Sequence, residues 1–494
     1  MPRFDSPSHY TVLGLVAGAM TGVDFLATLS VNFSEASIRG GIGASPDAFL
    51  WVLSVYAGAG AAAILLLERL ARRFRYRALL LSFLALFIVG SLLAACSHSL
   101  SALIAARLLQ GLGGGPLMTC SRVFLQSMVP PKSRGLALRG FMYGIFASSA
   151  PAPWLAARLL QDSDWHAVFL MQAAFAALVW LAGWRVLPHG RHRARPLGHL
   201  DAVAALSFCL ATLLALHILQ DLRYQRPDAA FAGRVALVLL LCTCVWRHLL
   251  RHADPWFDWR RVASRRYLTG LMFYTFYYLI NGALAMVAPM YLLSGEAFDL
   301  DVAGWVQSTA GVGTLLLLPF YFRAASRLGD RRHVMAVGFV LMAGCLLWLG
   351  ATVTGTTPWQ RLLPIFALKS VFPVLVVIQV AGLTFREFDA PDFAHAYAMK
   401  NILRLMANAV GAGIANVYWQ DIAAQGRTRL VSRLGLGDAP DYAAVQAAGP
   451  DALARLSLLV DRQAALLAAH QVFTLLAMGC LVGGVVVLCQ RSLR

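Results

Sequence analysis

Residues 18–33 read GAMTGVDFLATLSVNF, an apolar run that holds a single acid, Asp24. A lone carboxylate near the middle of a membrane-crossing helix costs roughly 2.5–3.5 kcal/mol on insertion scales, so its presence requires compensation. Thr21, Asp24, Thr28 and Asn32 follow one another at spacings of three, four and four, which places them on one helix face. A polar stripe on a lipid-length helix turns toward protein or a water-filled cavity. At this point the stripe reads either as a structural polar interface or as a functional intramembrane acid.

The rest of the chain shows that this segment belongs in a membrane. Of 494 residues, 59% are hydrophobic and 13% charged, whereas a soluble domain carries roughly 25% charged residues. Apolar runs lie near 10–33, 47–70, 77–97, 99–125, 135–158, 165–187, 200–220, 231–250, 266–293, 301–323, 332–353, 359–385, 393–420 and 466–490. At about 1.5 Å per residue each can cross a hydrocarbon core of about 30 Å. The expectation is an all-α polytopic membrane protein with fourteen transmembrane helices.

The net charge of +18 is not that of a nucleic-acid binder, because the arginines stand in short blocks between apolar runs rather than on one face. RLARRFRYR (69–77), PPKSRG (130–135), RHRAR (191–195), RHLLRHADPWFDWRRVASRR (247–266) and RAASRLGDRR (323–332) read as cytoplasmic loops. The alternate connections CSHSLS, LLSGEAFDL and TVTGTTPW nearly lack Lys and Arg, as translocated short loops do. Both termini are then cytoplasmic, and MPRFDSPSHY holds no cleavable signal pattern, so the first span reads as an uncleaved anchor. The connection 421–465 falls outside, and GDAPDYAAVQAAG and GPDALARLSLLVDRQAALLAA within it read as capped amphipathic helices. The eight cysteines form no C-x-x-C pair or His/Cys cluster, so neither a metal site nor a disulfide framework is expected.

Weak internal repetition relates RLARRFRYR to RAASRLGDRR, and ALIAARLLQGLGGGPLM to LPIFALKSVFPVLVVIQ. It predicts an N-terminal six-helix bundle over 1–190, an inserted helix pair over 191–265, and a C-terminal six-helix bundle over 266–494 with the external loop 421–465.

A partner for Asp24 is sought by depth. Asp24 lies nine residues from the outer end of its span and Arg107 eight from the outer end of the fourth, about 13 Å and about 12 Å down. The two are therefore expected to pair, and such a pair can both accommodate the acid and carry a proton. Arg107 and Gln110 stand one turn apart, ahead of Gly111, Gly113, Gly114 and Gly115. Glycines of this kind let helices pack closely, and the run lacks the G-x-x-x-x-G-K-[ST] pattern of a phosphate loop.

Taken together, these stretches resemble the major facilitator superfamily and, within it, the fourteen-span drug:proton antiporters of EmrB type. VDFLATLSVNF is similar to the first-span motif L-D-x-T-x-V-N, with the acid at Asp24 and the asparagine at Asn32. RLLQGLGGGPLM matches R-x-x-Q-G-x-G of the fourth span, and WHAVFLMQ resembles W-R-W-I-F-x-x-N of the sixth. HLDAVAALSF resembles the start of the inserted pair, and NILRLMANAVG the N-x-x-R-x-x-G-x-x-x-G of the thirteenth span. Where the family has the loop motif G-x-L-A-D-R-x-G-R-R this chain reads ERLARRFRYR, with Glu68 for the first glycine, Arg72 for the acid and Arg75 for the second glycine. Glu68 and Arg72 are four apart and positioned to pair. SAPAPWLAARL keeps Pro151 of G-P-x-x-G-G but loses its glycines, while Pro153 predicts a second break in a bent fifth helix.

Periodicity adds cavity candidates. Tyr274, Tyr277, Tyr278 and Asn281 share a face of the ninth span, as packing aromatics or as a grip on planar apolar ligands. Lys369 and Arg404 lie inside apolar spans and, with Arg107, outnumber Asp24 at depth. The expectation is a cavity built with Thr28, Asn32 and Gln110 that tolerates anionic or weakly acidic lipophiles better than permanent cations. His217 and His470 read as interfacial or packing residues.

The resemblance implies a non-enzymatic exporter of small amphipathic organic compounds in a bacterial inner membrane, driven by protons and needing no cofactor. It also implies a periplasmic adaptor and an outer-membrane channel as partners. A major facilitator importer or uniporter of a metabolite shares the fold and is the alternative. A membrane-embedded transferase or sensor would need a compact catalytic cluster or a soluble domain, and the sequence offers neither.

Overall fold

The computed structural model describes residues 7–188, 202–221, 228–251, 263–325, 327, 329–385, 388, 390–435 and 450–490. In chain order the helices are α1 (Pro7–Phe33), α2 (Glu35–Ile42), α3 (Pro46–Arg73), α4 (Tyr76–Ala95), α5 (Leu100–Gly114), α6 (Leu117–Met128), α7 (Arg134–Ser149), α8 (Ala152–Asp162) and α9 (His166–Val186). There follow α10 (Ala202–Asp221), α11 (Ala229–Arg251), α12 (Arg265–Met290), α13 (Leu300–Ala324), α14 (Arg331–Ala351), α15 (Trp359–Lys369), α16 (Ile378–Thr384), α17 (Ala390–Gly435) and α18 (Pro450–Cys489). No strand occurs among the described residues.

Local chemistry sets several starts. Ser45, Ser99 and Ser264 accept from the main-chain N–H groups of Ala48, Ala102 and Tyr267, and Asp330 accepts from that of Arg332. Each satisfies an N–H that has no partner inside its helix. Gly115 and Pro116 separate α5 from α6, and Ala150 and Pro151 separate α7 from α8. Pro153 introduces no second break, because it lies in the first turn of α8, where its missing N–H is not needed. Wide π-helical turns at Tyr291–Gly295 and Pro373–Val377 end α12 and join α15 to α16.

Ten helices among the described residues are long and apolar enough to cross a membrane. Of the fourteen apolar runs in the sequence, 99–125 and 135–158 are each divided into two helices, α10 offers only the shorter stretch Leu206–Leu219, and 393–420 carries Lys400 and Arg404.

The apolar side chains gather into two large cores, one drawn from Leu13 to Leu187 and one mainly from Phe273 to Val487. In the first, α1 packs on α7 and α4 on α5 and α9; in the second, α12 packs on α17 and α14 on α18. The groups meet where α17 crosses α3 and α6, where α13 crosses α8, and where α1 touches α12. The pair α10 and α11 leans on α3 and α17 from outside.

Within the external connection expected over 421–465, residues 421–435 and 450–465 are helical and continue α17 and α18. α17 runs 46 residues and α18 40, about 69 Å and about 60 Å, twice the thickness of a hydrocarbon core. They therefore project past the bundle as an antiparallel hairpin, closed by Arg427 Nε to Asp461 Oδ1 at 2.7 Å. From Pro450 on, the stretch PDALARLSLLVDRQAALLAA opens α18 itself rather than forming a separate helix, whereas GDAPDYAAVQAAG falls outside the described residues.

Candidate functional site

Asp24 is fully buried on α1. Arg404 Nη2, from α17, donates to Asp24 Oδ2 at 2.7 Å, and the Tyr56 hydroxyl, from α3, donates to Oδ1 at 2.5 Å. Arg404 is 2% exposed and stacks over the Phe25 ring at 5.0 Å. The carboxylate is thus compensated by one charge and one hydroxyl, each filling an oxygen, and the ion pair joins the two helix groups. Arg404 Nε has no hydrogen-bond partner, so Asp24 provides the main compensation for this guanidinium.

This corrects the expected pairing of Asp24 with Arg107. Arg107 turns into the first group: its Nε donates to the Val52 carbonyl at 3.3 Å, its Nη1 donates to Gln110 Oε1, and its guanidinium lies 4.1 Å over the Tyr56 ring. Gln110 Nε2 donates to Ser91 Oγ and to Gln172 Oε1, both at 2.7 Å, and Gln172 Nε2 to Ser30 Oγ at 2.9 Å. Depth along two helices fixes a common level but not the direction each side chain faces: Tyr56 stands between the two, its hydroxyl on Asp24 and its ring under Arg107, and Arg404 makes the direct ion pair. The glycines after Gln110 are packing residues: a Cβ on Gly111 would collide with the Tyr56 carbonyl, and one on Gly115 with the Gly60 backbone.

Between the groups lies a cavity of about 450 Å³, within the usual range for organic ligands. Tyr274, Tyr277, Tyr278, Asn281 and Lys369 line it as expected. Tyr274 and Tyr278 stack at 6.0 Å, Tyr277 lies 4.8 Å from Phe372, and Asn281 Nδ2 donates to Asn408 Oδ1 at 3.4 Å. Thr28, Asn32, Gln110 and Arg404 are not among its lining residues. The Thr28 hydroxyl folds back onto the Asp24 main-chain carbonyl at 2.9 Å, Asn32 is buried with Oδ1 unpartnered, and the other two are held as described above.

Each end of the bundle has its own bridges between the groups. At the end carrying the arginine blocks, Glu68 pairs with Arg72 at 3.2 Å, as the spacing predicts, and its other oxygen lies 2.8 Å from His395 Nδ1 on α17. Asn401 Nδ2 donates to Thr119 Oγ1 at 2.7 Å nearby. At the opposite end Arg158 Nε meets Asp301 Oδ1 at 3.1 Å, and the Trp154 main chain donates to Ser308 Oγ at 3.1 Å. His217 packs its ring against Trp51 at 4.9 Å, and His470 Nδ1 lies 3.0 Å from the Gly350 carbonyl, both packing roles as read from sequence.

Sequence reasoning missed Tyr56, Gln172, His395, Arg122 and Lys400. Two of these carried a signal. Gln172 ends the quoted WHAVFLMQ, and Lys400 stands four residues before Arg404 inside the same apolar run, hence on the same helix face.

The Major Facilitator Superfamily sequence profile matches residues 13–301. The chain is 25% identical over 432 residues to the Multidrug export protein EmrB of Haemophilus influenzae, covering 86% of this chain and 83% of that protein. It is 26% identical over 409 residues to the Probable multidrug resistance protein EmrY of Escherichia coli, covering 81% and 78%. Among solved structures, a POT family transporter in complex with a thioalcohol-conjugated peptide superposes with a TM-score of 0.63 at 13% identity, covering 97% of this chain and 95% of that one, a likeness of fold alone.

Proposed function

Since the chain belongs to the Major Facilitator Superfamily, we propose that it exports small amphipathic organic compounds across a bacterial inner membrane by alternating access, in exchange for entering protons. In this reading fourteen spans place both termini in the cytoplasm, with an N-terminal bundle over 1–190, an inserted pair over 191–265 and a C-terminal bundle over 266–494. Similarity to a protein named for multidrug export and to another named for probable multidrug resistance supports the direction and breadth of transport.

The observation that carries the mechanism is the ion pair between Asp24 and Arg404, buried from water and made between α1 and α17. Ionised, Asp24 neutralises Arg404 and holds the two groups together. Protonated, it leaves a buried guanidinium without its counter-charge, an arrangement that costs several kcal/mol unless the groups move and water enters. Proton uptake from the outward-facing state and release into the cytoplasm thereby drive the rocking of one group against the other. One proton entering down 100 mV supplies about 2.3 kcal/mol.

The helical hairpin formed by the end of α17 and the start of α18 is the proposed docking surface for a periplasmic adaptor that continues to an outer-membrane channel. It supports that role by projecting well past the bundle as a structured pair.

The test is transport by the purified protein in proteoliposomes with an imposed pH gradient. Accumulation of an amphipathic dye in the compartment from which protons leave, abolished by a protonophore, is expected. Accumulation in the direction of proton flow would instead establish the importer alternative.

A further inference from the structure

Resting on the export reading above, we infer that the cavity is built for organic anions: an apolar body gripped by the aromatic walls and an oxyanion headgroup held between Lys400 and Arg122. The reason lies in the charges that line it. Arg122, Arg331, Lys369 and Lys400 all face the cavity, and no Asp or Glu does so among its described lining residues.

The two central cations have no anionic partner among the described residues. Lys400 is 1% exposed, and its Nζ meets only the Met118 sulfur at 3.9 Å and the faces of Tyr397 and Tyr274 at 4.3 and 4.9 Å. The Arg122 guanidinium rests over Phe393 and Tyr397 at 5.1 and 5.9 Å. Ring faces attract a cation but supply no oxygen acceptor, and a buried ammonium left on such contacts lacks the compensation that buried charge requires. The contrast with Arg404 and Arg107 is direct, since both guanidinium groups already have oxygen acceptors and neither lines the cavity. The unmet demand therefore sits where a ligand enters, and a ligand oxyanion is the group that fills it.

Placement strengthens the assignment. Lys400 lies on α17 and Arg122 on α6, so one headgroup between them bridges the two helix groups, as Asp24 and Arg404 do. Lys400 and Arg404 are one turn apart on α17, so the bound anion and the Asp24 carboxylate neutralise one shared cluster of positive charge. Phe25, Phe146, Tyr277 and Phe372 line the same space and provide flat apolar surface for the body.

Binding decides this without any gradient, so a negative result leaves proton-driven export standing, and failure of export in proteoliposomes leaves the binding result standing. The full chain in phosphatidylcholine nanodiscs is titrated calorimetrically with 2-naphthoate, its neutral amide and 2-naphthyltrimethylammonium. Naphthoate is expected to bind at least about tenfold more tightly than the ammonium probe, the worth of one hydrogen bond to a charged group. Lys400→Gln and Arg122→Gln should each weaken naphthoate about tenfold while leaving the amide unchanged, and Lys400→Arg should retain naphthoate. The inference is overturned if the ammonium probe binds as tightly as naphthoate, or if both glutamine variants keep the native preference.

Discussion

Arg404 Nη2 donates to Asp24 Oδ2 over 2.7 Å, so the buried acid of α1 is neutralised by a helix from the other half of the chain. Breaking a buried pair by removing one partner costs about 3–5 kcal/mol, while removing both leaves no orphan charge. Arg404→Gln is therefore expected to lower the thermal stability of the detergent-solubilised protein strongly, and Asp24→Asn with Arg404→Gln to recover part of the loss. The same cycle with Arg107→Gln should show much weaker coupling, because Arg107 is held by Val52 and Gln110. Equal coupling in the two cycles would restore Arg107 as the partner.

Glu68 links α3 to His395 on α17 while also holding Arg72. The groups are only part-buried, and pairs of this exposure contribute about 0.2–1 kcal/mol. Glu68→Gln should shift the conformational balance toward separation of the two halves at the arginine-rich end by at most about fivefold. Spin labels at Lys132 and Arg327 would register this as a larger long-distance population; an unchanged distance distribution would remove Glu68 from the gate.

Glu35 sits in α2, outside the spans, 5% exposed, with Arg39 Nη1 at 4.0 Å. Burial raises its carboxyl from 4.5 to about 7, against the smaller opposing pull of Arg39. The folded protein then holds this proton more tightly than the unfolded chain, so stability falls as pH rises from about 4.5 to about 7 and levels off above. Thermal midpoints across pH 4.5–8 should show the native protein losing ground to Glu35→Gln over that window. A constant difference between the two would mean that Glu35 ionises as it does in water.

How much of this was legible in sequence depended on the kind of question. Period and composition were enough for helices and for the polar face around Asp24, and Glu68 with Arg72 followed from a four-residue spacing. The partner of Asp24 was not legible, because Arg404 lies 380 positions away and sequence supplies no azimuth between distant helices. The same gap hid Tyr56, and it assigned Thr28 and Gln110 to a cavity they do not reach. Tyr274, Tyr277, Tyr278 and Asn281 reach one cavity together because they share one helix face, where local periodicity suffices. In the stretch 421–465 the helical character of PDALARLSLLVDRQAALLAA was legible from its Ala- and Leu-rich turns, whereas its continuity with the following span, and that of 421–435 with the preceding one, was not, because no local signal marks where a span ends inside an unbroken helix.

The central claim is that protonation of Asp24 couples proton entry to export. The most direct measurement compares, in proteoliposomes, substrate exchange at equal pH with uphill transport driven by a pH gradient, for the native protein and Asp24→Asn. The account predicts that the variant keeps exchange and loses uphill transport. Full uphill transport by Asp24→Asn would contradict it.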